Sequence, residues 1–305
     1  MKFAATVLGS GSAKPTLERL TSAHVLNVHE HFYLIDCGEG TQVAMIKHGI
    51  QMMKIEHAFI SHLHGDHYFG LIGLLNSMHL MNRKKPFHLY AFCELEEIIN
   101  IQLRVASTTF SFPLVFHPLD SSKTQEILNN KYVSVTSFPL KHRIRTCGFL
   151  FKEKKRARNI KREFVRKHNI PVEWFQRILD GEDYVDADGV KYSNDSIVKI
   201  PGVSRSYAYC SDTAYHKEVV DIIRGASLLY HEASFADEHE DIALVKFHST
   251  ARQAAMIAKE ANVGGLMIGH FSLRYKDPQL LLSQAREEFP NTIEAVDGLT
   301  VEIGS

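Results

Sequence analysis

Short apolar runs separated by turns dominate the first part of the chain. Runs of this length are too short for stable helices and predict strands at 3–8, 24–27, 31–35, 58–60, 88–91, 114–118, 132–138 and 147–151. Longer amphipathic patterns predict helices at 40–48, 70–80 and 94–105. The last third repeats the alternation, with strands at 207–210, 228–231, 265–268 and 293–295 and helices at 217–224, 249–261 and 278–289. Mixed strands and helices along the whole length predict an α/β fold in which helices cover sheets.

Between residues 152 and 199 the apolar periodicity weakens and charge takes its place. The start of this segment is rich in basic side chains, namely Lys152, Lys154, Lys155, Arg156, Arg158, Lys161, Arg162, Arg166 and Lys167. An acidic stretch, DGEDYVDADG, follows. The segment is predicted to be an insertion that stands off the main body. Its residues alone leave two interpretations open, a solvated surface helix or a basic arm that binds a polyanion such as RNA.

Composition narrows the classes of function only slightly. The 305 residues carry a formal net charge of zero, so a nucleic acid or a membrane would have to be bound by a locally charged patch of the surface. Four scattered cysteines form no paired metal-ligand spacing, which favours reduced thiols. The apolar run at the start is too short for a signal peptide, and no stretch is long enough for a membrane span. We expect a cytoplasmic protein with no membrane partner.

The segment SHLHGDHYFG, at residues 61–70, predicts a metal site. His62 and His64 point to the same side of an extended segment, because side chains alternate with a period of two. Gly65 is expected to let the chain turn, so that Asp66 and His67 follow the bend and face elsewhere. Imidazole and carboxylate ligands together suit zinc or, less specifically, manganese or iron. A surface loop rich in histidine would not explain the aspartate, the glycine and the apolar approach together.

Further metal ligands are expected downstream, because four local side chains cannot complete a catalytic site. His142, Asp212 and His270 each follow a predicted strand. Taken singly, such a residue is as readily a cap or a turn residue as a ligand. Their order after the histidine-rich segment makes them the preferred candidates.

Several motifs of the chain resemble those of a known family. The histidine–aspartate core is similar to that of the metallo-β-lactamase superfamily. The motifs IDCGEGTQ, PLKHRIRTCGF, SDTAY, LLYHEASF, KFHSTARQAA and IGHFSLRY, in this order, are similar to the short-form tRNA 3′-end processing endonucleases, ribonuclease Z. The resemblance covers essentially the whole chain, including LGSGSAKPTLERLTSAHVL near its start, whose small residues are expected to let the backbone approach the RNA or the metal loop.

The resemblance implies a single domain over residues 1–305, built as a four-layer αββα sandwich with a protruding arm and two zinc ions per subunit. One ion would be held by His62, His64 and His142. The other would be held by three further residues, with a bridging aspartate between the ions, namely Asp66, His67, His270 and, as the bridge, Asp212.

The resemblance also implies the reaction, removal of the 3′ trailer from precursor tRNA with a 3′-hydroxyl left on the tRNA and a 5′-phosphate on the trailer. A hydroxide held between the zinc ions would attack phosphorus. Asp66 would orient or deprotonate that water, His248 would protonate the departing oxygen, and Glu232 would orient His248 or relay a proton to it. Each residue also has a purely structural alternative. His248 would lie at a helix N-terminus capped by Ser249 or Thr250, and Glu232 would form a buried ion pair.

The inserted segment 152–199 would then be an arm that grips the tRNA, with the substrate-binding candidates Lys154, Lys155, Arg156 and Arg158, and with Arg274 close to the site. Members of the family usually form homodimers. Bacterial arms of this type commonly carry a Gly-Pro element, whereas this one reads IPVEWFQRILDGEDYV, in which Trp174 and Phe175 would pack the arm or stack on a base.

Two alternative functions remain from the sequence. One is another binuclear-zinc hydrolase of the same superfamily, such as a cyclic phosphodiesterase or an arylsulfatase-like enzyme. The other is an RNA-binding module that has lost its metals and its activity.

Overall fold

The computed structural model describes residues 2–154, 158–199 and 204–304. These residues form two compact units, one running to Glu153 and resuming at Arg205, and the other spanning Lys154–Ser204.

The first unit contains the following elements before the second unit begins: β1 (Phe3–Gly9), β2 (Ala23–Val28), β3 (His31–Ile35), α1 (Thr41–Lys47), β4 (Ile55–Phe59), α2 (Gly65–Tyr68), α3 (Leu71–Leu80), β5 (Phe87–Ala91), α4 (Glu94–Val105), β6 (Leu114–Pro118), β7 (Gln125–Asn129), β8 (Val133–Pro139) and β9 (Cys147–Glu153). The second unit contains β10 (Asn159–Ile160), α5 (Arg162–His168), α6 (Val172–Asp180), β11 (Tyr184–Val185), β12 (Lys191–Tyr192), α7 (Asn194–Ile197) and β13 (Val198–Lys199). The first unit then continues with β14 (Ser206–Cys210), α8 (Val219–Ile223), β15 (Leu228–Glu232), α9 (Glu240–Lys246), α10 (Ala251–Glu260), β16 (Leu266–Gly269), α11 (Gln279–Glu288), β17 (Thr292–Glu294) and β18 (Thr300–Glu302).

Two mixed sheets form the centre of the first unit, and each has seven strands among the described residues. The first sheet has the order β18-β1-β2-β3-β4-β5-β6, and the second has the order β17-β16-β15-β14-β9-β8-β7. Aromatic side chains from both sheets meet between them; Phe59 packs against Phe149 and Phe151 with ring centroids 5.6 and 5.2 Å apart. Burial of such rings is a large contribution to the stability of the sandwich.

Helices cover the outer face of each sheet. Side chains of α1, α3 and α4 form one apolar cluster with the first sheet, and those of α8, α10 and α11 form another with the second sheet. The order of layers is therefore helix, sheet, sheet, helix, as predicted. The sequence patterns missed the strands β7 and β18 and the helix α9. The last predicted strand, 293–295, is not the closing one, because β18 returns to pair with β1 in the first sheet.

The second unit has a small core of its own. Ile170, Ile178, Tyr184, Ile197 and Val198 are buried together, and partly buried aromatic rings, Phe164, Trp174, Phe175 and Tyr192, pack against them. The guanidinium of Arg177 lies 3.9 Å from the ring centre of Trp174. Of the two alternatives for Trp174 and Phe175, packing within the arm is the one observed.

Two further expectations concern thiols and membranes. The four cysteines are free, with Cys93 exposed and the other three buried. Every helix in the described ranges is too short or too polar to span a bilayer.

His24 is a buried histidine that lies far from the ligand candidates in the sequence. Its Nδ1 lies 2.9 Å from the hydroxyl of Tyr207, and its ring packs edge-on against Tyr230 with centroids 4.3 Å apart. Burial lowers the pKa of His24 to about 3. The folded protein therefore keeps this ring neutral at pH values where the unfolded chain protonates it.

We expect this histidine to weaken the fold in mild acid. The free energy of unfolding should fall as the pH drops below 6.5, because only the unfolded state takes up the proton, and by pH 5 His24 should account for a loss of about 2 kcal/mol. His24→Phe should remove that part of the pH dependence, measured by urea unfolding at pH 7 and pH 5. Tyr207→Phe is the control, since it removes the hydrogen bond but keeps the titrating ring. An unchanged pH dependence in His24→Phe would contradict the assignment.

Candidate active site

The predicted ligands converge at one edge of the sandwich because they follow the ends of strands. His62 and His64 come directly after β4, and His142 follows β8. Asp212 follows β14 and His270 follows β16. Loops that leave adjacent strand ends carry their side chains to a common place on a rigid frame.

Four ligand atoms form a first cluster, contributed by His62, His64, His142 and Asp212. His62 Nε2 and His64 Nδ1 lie 3.0 Å apart, and His142 Nε2 lies 3.2 Å from the same His64 nitrogen. Asp212 Oδ2 lies 3.6 Å from His62 Nε2 and 3.8 Å from His142 Nε2. Burial lowers the pKa of both His62 and His64, which favours the neutral imidazole that binds metals.

A second cluster contains Asp66, His67 and His270. His270 Nε2 lies 3.4 Å from Asp66 Oδ2, and His67 Nε2 lies 3.8 Å from the same oxygen. Asp212 turns its other oxygen, Oδ1, to this cluster, at 3.5 Å from His67 Nε2 and 3.3 Å from His270 Nε2. The carboxylate of Asp212 therefore lies between the two clusters, with one oxygen directed at each.

The donor set and its spacing fit two zinc ions. Ligand atoms held tetrahedrally at 2.0–2.1 Å from an ion lie about 3.3 Å apart, close to the separations in both clusters. His67 Nε2 and Asp212 Oδ1 are buried and have no hydrogen-bond partner among the described residues. A buried polar atom without a partner is costly, and an ion in the second cluster would satisfy both atoms.

The nitrogens that face away from the clusters are held in place. His142 Nδ1 donates to the carbonyl of Phe247 at 2.8 Å. The Ser234 hydroxyl donates to the carbonyl of His270 at 2.9 Å and lies 3.1 Å from His270 Nδ1. His62 Nδ1 lies 3.0 Å from the hydroxyl of Ser61. Such contacts set the tautomer and the orientation of each ligating ring.

Asp36 accepts hydrogen bonds from several of the groups that surround the ligand candidates. Its buried carboxylate accepts hydrogen bonds from His67 Nδ1 at 2.8 Å, from the Tyr209 hydroxyl at 2.8 Å and from the backbone N–H of Ser61 at 2.7 Å. Because Ser61 also contacts His62, Asp36 links a ring of the first cluster to a ring of the second.

The local geometry of residues 64–68 differs in part from the expectation. His64 is extended and Gly65 begins the short helix α2, which carries Asp66 and His67 away from the first pair as predicted. The ring of Phe69 lies over this glycine, and a Cβ at Gly65 would lie 2.2 Å from it unless the ring moved. The small residues near the chain start do approach the metal loop, since the N–H of Ala13 donates to Asp66 Oδ2 at 2.7 Å.

Strained backbone conformations surround the site. Ala13, Asp36, Phe247 and His270 all have left-handed φ values, of 64°, 55°, 57° and 58°. Such conformations cost free energy for residues other than glycine and persist where the surroundings hold them. Here each of them directs a backbone or side-chain group at a ligand candidate or, for His270, positions the ligand itself.

Glu232 and His248 form a pair beside the clusters. His248 Nδ1 donates to Glu232 Oε1 at 2.8 Å. Glu232 is fully buried and also accepts the backbone N–H groups of Thr213, Ser234 and Ser249 at 3.0–3.1 Å. Burial alone would lower the pKa of His248, but the carboxylates of Glu232 and Asp212 raise it to about 9. The helix-capping alternative also has support, since Thr250 caps α10 with Gln253.

A cavity of about 580 Å³ opens over both clusters. Asp66, Asp212 and His248 line it together with two exposed cations, Arg143 and Lys246. Neither cation has an ion pair or hydrogen bond with the described residues, so both are available to phosphate oxygens.

The predicted substrate-binding residues that the structure describes do not line this cavity. Arg274 is exposed and lies outside the lining of the cavity, so its phosphate contact stays a prediction. In the second unit, Lys154 is half-buried and Arg158 is exposed. Lys155 and Arg156 lie outside the described residues.

Sequence patterns missed several residues of the site. Asp36 lies in a segment noted for its resemblance but was not singled out, although an aspartate directly after a strand was the signal that identified Asp212. Ser234, Phe247, Arg143 and Lys246 adjoin identified residues in the sequence or follow them closely. Phe247 contributes a backbone carbonyl, which no side-chain pattern can indicate.

Comparison with known proteins gives the following similarities. The family model described as Anti-Pycsar protein Apyc1 matches residues 3–158. A protein named Ribonuclease Z from Bacteroides fragilis strain YCH46 is 41% identical over 302 residues, which covers 99% of each chain.

Among solved structures, human tRNase Z, short form (ELAC1), aligns with a TM-score of 0.73 and 26% identity over 99% of this chain and 100% of that one. The metallo-beta-lactamase fold protein YhfI from Bacillus subtilis aligns with a TM-score of 0.69 and 16% identity, covering 99% and 100% of the two chains. The second likeness bears on the fold alone, and it confirms the predicted metallo-β-lactamase architecture.

The contacts of Asp36 predict a role in metal binding. Asp36→Asn should weaken metal affinity by about 10- to 100-fold, because the amide offers His67 and Tyr209 a poorer acceptor. The measurement is metal content after dialysis against a graded series of chelator concentrations. Asp120→Asn, at a partly exposed carboxylate that belongs to neither ligand cluster, is the control. Equal metal retention by both variants would contradict this role.

Proposed function

The chain belongs to the ribonuclease Z family of endoribonucleases, and we propose that it removes the 3′ trailer of precursor tRNA in a zinc-dependent reaction. The products would be a tRNA with a 3′-hydroxyl and a trailer with a 5′-phosphate. One observation carries the proposal: Asp212 directs an oxygen at each of two ligand clusters in the cavity that also contains His248. Residence in the cytoplasm and a homodimeric state stay predictions.

The residues of the two clusters would hold two zinc ions, with Asp212 shared between them. Bound there, the ions would lower the pKa of a water and offset the charge that develops on the phosphate oxygens. Asp66 would be a ligand in the second cluster, because its Oδ2 faces His67 and His270. The N–H of Ala13 donates to the same oxygen and fixes the orientation of the carboxylate.

His248 is the proposed general acid. Its Nδ1 is engaged by Glu232, which leaves Nε2, on the opposite side of the ring, to donate a proton to the departing 3′ oxygen. The carboxylate of Glu232 raises the pKa of His248, which favours the protonated ring.

Glu232 is proposed to orient His248 and to hold its charge. The carboxylate already accepts hydrogen bonds from three backbone N–H groups besides His248. Such donors stabilise the ionised form. Burial would raise the pKa of Glu232, but the charge of His248 and its hydrogen bond hold that pKa below its ordinary value. Of the two roles expected from the resemblance, orientation is therefore favoured over proton relay.

The second unit is proposed to bind the tRNA away from the scissile bond. Arg162, Arg166 and Lys167 on α5 are exposed and have no ion pair among the described residues. Free cations of this kind supply sequence-independent, salt-dependent affinity for phosphates. Lys154, Lys155, Arg156, Arg158 and Arg274 remain further candidates for contacts with the RNA.

The competing functions differ from this one in testable ways. Another binuclear hydrolase acting on small esters would use the same clusters and would not need the basic residues of α5. A non-catalytic RNA-binding module is disfavoured, because all seven proposed ligands lie in groups that could hold a metal ion.

The direct test is incubation with a 3′-extended precursor tRNA, with and without a chelator, followed by mapping of the cut and its end groups. We expect one cut that leaves a 3′-hydroxyl and a 5′-phosphate, no cut in the chelator, and recovery on addition of zinc. Asp66→Ala should abolish cleavage while its circular dichroism stays unchanged. Cleavage that survives the chelator, or a 2′,3′-cyclic phosphate end, would exclude the proposed reaction.

The role of His248 predicts a dependence on the leaving group. His248→Ala should lower kcat on precursor tRNA by about 10²- to 10⁴-fold, because a ribose oxygen needs a proton as it leaves. The same variant should lose little activity on a 4-nitrophenyl phosphodiester, whose leaving group is stable as an anion. Comparable losses on both substrates would argue that His248 has only a structural role.

Neutralising the basic face of α5 should affect only the RNA substrate. The triple variant Arg162→Ala, Arg166→Ala, Lys167→Ala should reduce the slope of log affinity against log salt by about two to three. The readout is precursor tRNA binding at several salt concentrations. Hydrolysis of a 4-nitrophenyl phosphodiester by the same preparation is the control and should not change. An unaltered salt slope would rule out this face as the RNA contact.

A further inference from the structure

Phe69 is a large aromatic side chain that the fold leaves exposed at the mouth of the catalytic cavity. It follows α2 and is 59% exposed. Its neighbours Tyr68 and Ile72 pack against the core formed by the helices and the first sheet, whereas Phe69 belongs to none of the apolar clusters of the described residues. Core packing therefore does not explain an aromatic residue here.

The ring is held against the backbone of the metal-binding loop. A Cβ at Gly65 would lie 2.2 Å from Phe69 Cε2 and 2.4 Å from Cζ, so the ring covers the gap that this glycine leaves. Gly65 lies between His64 and Asp66, one from each ligand cluster. The exposed ring therefore lies next to the segment that carries ligand candidates of both clusters.

The space beside the ring has the character of a nucleotide site. Phe69 lines the cavity of about 580 Å³ together with the unpaired cations Arg143 and Lys246. Beyond the ring, a groove between α3 and α4 has a volume of only about 70 Å³. A group the size of a base therefore fits on the cavity side, where cations are available for the phosphates on either side of it.

We propose that Phe69 is a stacking platform for the base of a nucleotide that flanks the scissile phosphate. The inference rests on the proposed function and specifies how its substrate is positioned. An aromatic ring stacks on every base because every base has a π face, so this contact orients the RNA without reading its sequence. The two cations that line the same cavity would hold the backbone while the ring holds the base.

The test combines protein variants with abasic substrates. Phe69→Ala should lower kcat/KM for an intact precursor tRNA by about tenfold or more, and Phe69→Tyr should restore it. Two further precursors carry an abasic ribonucleotide directly 5′ or directly 3′ of the cut. On one of them the wild type should already be slow, and Phe69→Ala should cause no further loss. Leu80→Ala, at a 75% exposed apolar residue at the end of α3, is the matched control and should behave as the wild type.

Several results would overturn the inference. One such result is a loss of kcat/KM in Phe69→Ala by the same factor on the intact and both abasic precursors, and another is no loss on any of them. A changed molar mass of Phe69→Ala in light scattering, with equal losses on all substrates, would assign the ring to a subunit contact. Failure of the wild type to cut the intact precursor would instead refute the proposed function, so the two failures are distinguishable.

Discussion

The carboxylate of Asp212 is the constraint on which the site depends. It is almost fully buried, and its two oxygens lie within 3.3–3.8 Å of nitrogens from four different histidines. A buried carboxylate is unfavourable unless positive charge or hydrogen bonds compensate it. Oδ1 has no hydrogen-bond partner among the described residues, and a bound metal ion would supply the compensation. The same carboxylate also makes the two clusters one centre.

The rest of the fold serves to hold imidazole rings around that carboxylate. Strand ends bring the ligands to one edge, and a further set of contacts orients each ring. Asp36 and the carbonyl of Phe247 are the clearest cases, and both belong to residues with a left-handed backbone. Strain of this kind is tolerated because the two packed sheets determine the positions of the loop ends. The residue after Phe247 is His248, so one loop orients a ligand of the first cluster and presents the proposed acid.

Much of this arrangement was predictable from the sequence, for physical reasons. His62 and His64 share a cluster because a period of two puts their side chains on one side of an extended segment. His142, Asp212 and His270 were identified because they follow strands. The division of the ligands between two ions rested on the resemblance to a known family and stays a prediction, with the candidate ligands lying in groups that could hold metal ions. The helix–sheet–sheet–helix order was likewise implied by the resemblance.

What could not be predicted depends on contacts between distant segments. Asp36 meets His67 and Tyr209 only after three strands have assembled, and the carbonyl of Phe247 carries no signal in its side chain. The role of Gly65 was expected to be a turn, and the position of the Phe69 ring over this glycine was not expected. Anomalous diffraction from crystals of the zinc-loaded protein tests the central claim most directly. Two zinc peaks, one bound to each oxygen of Asp212, are the predicted result. A single peak, or two peaks of which only one contacts Asp212, would contradict it.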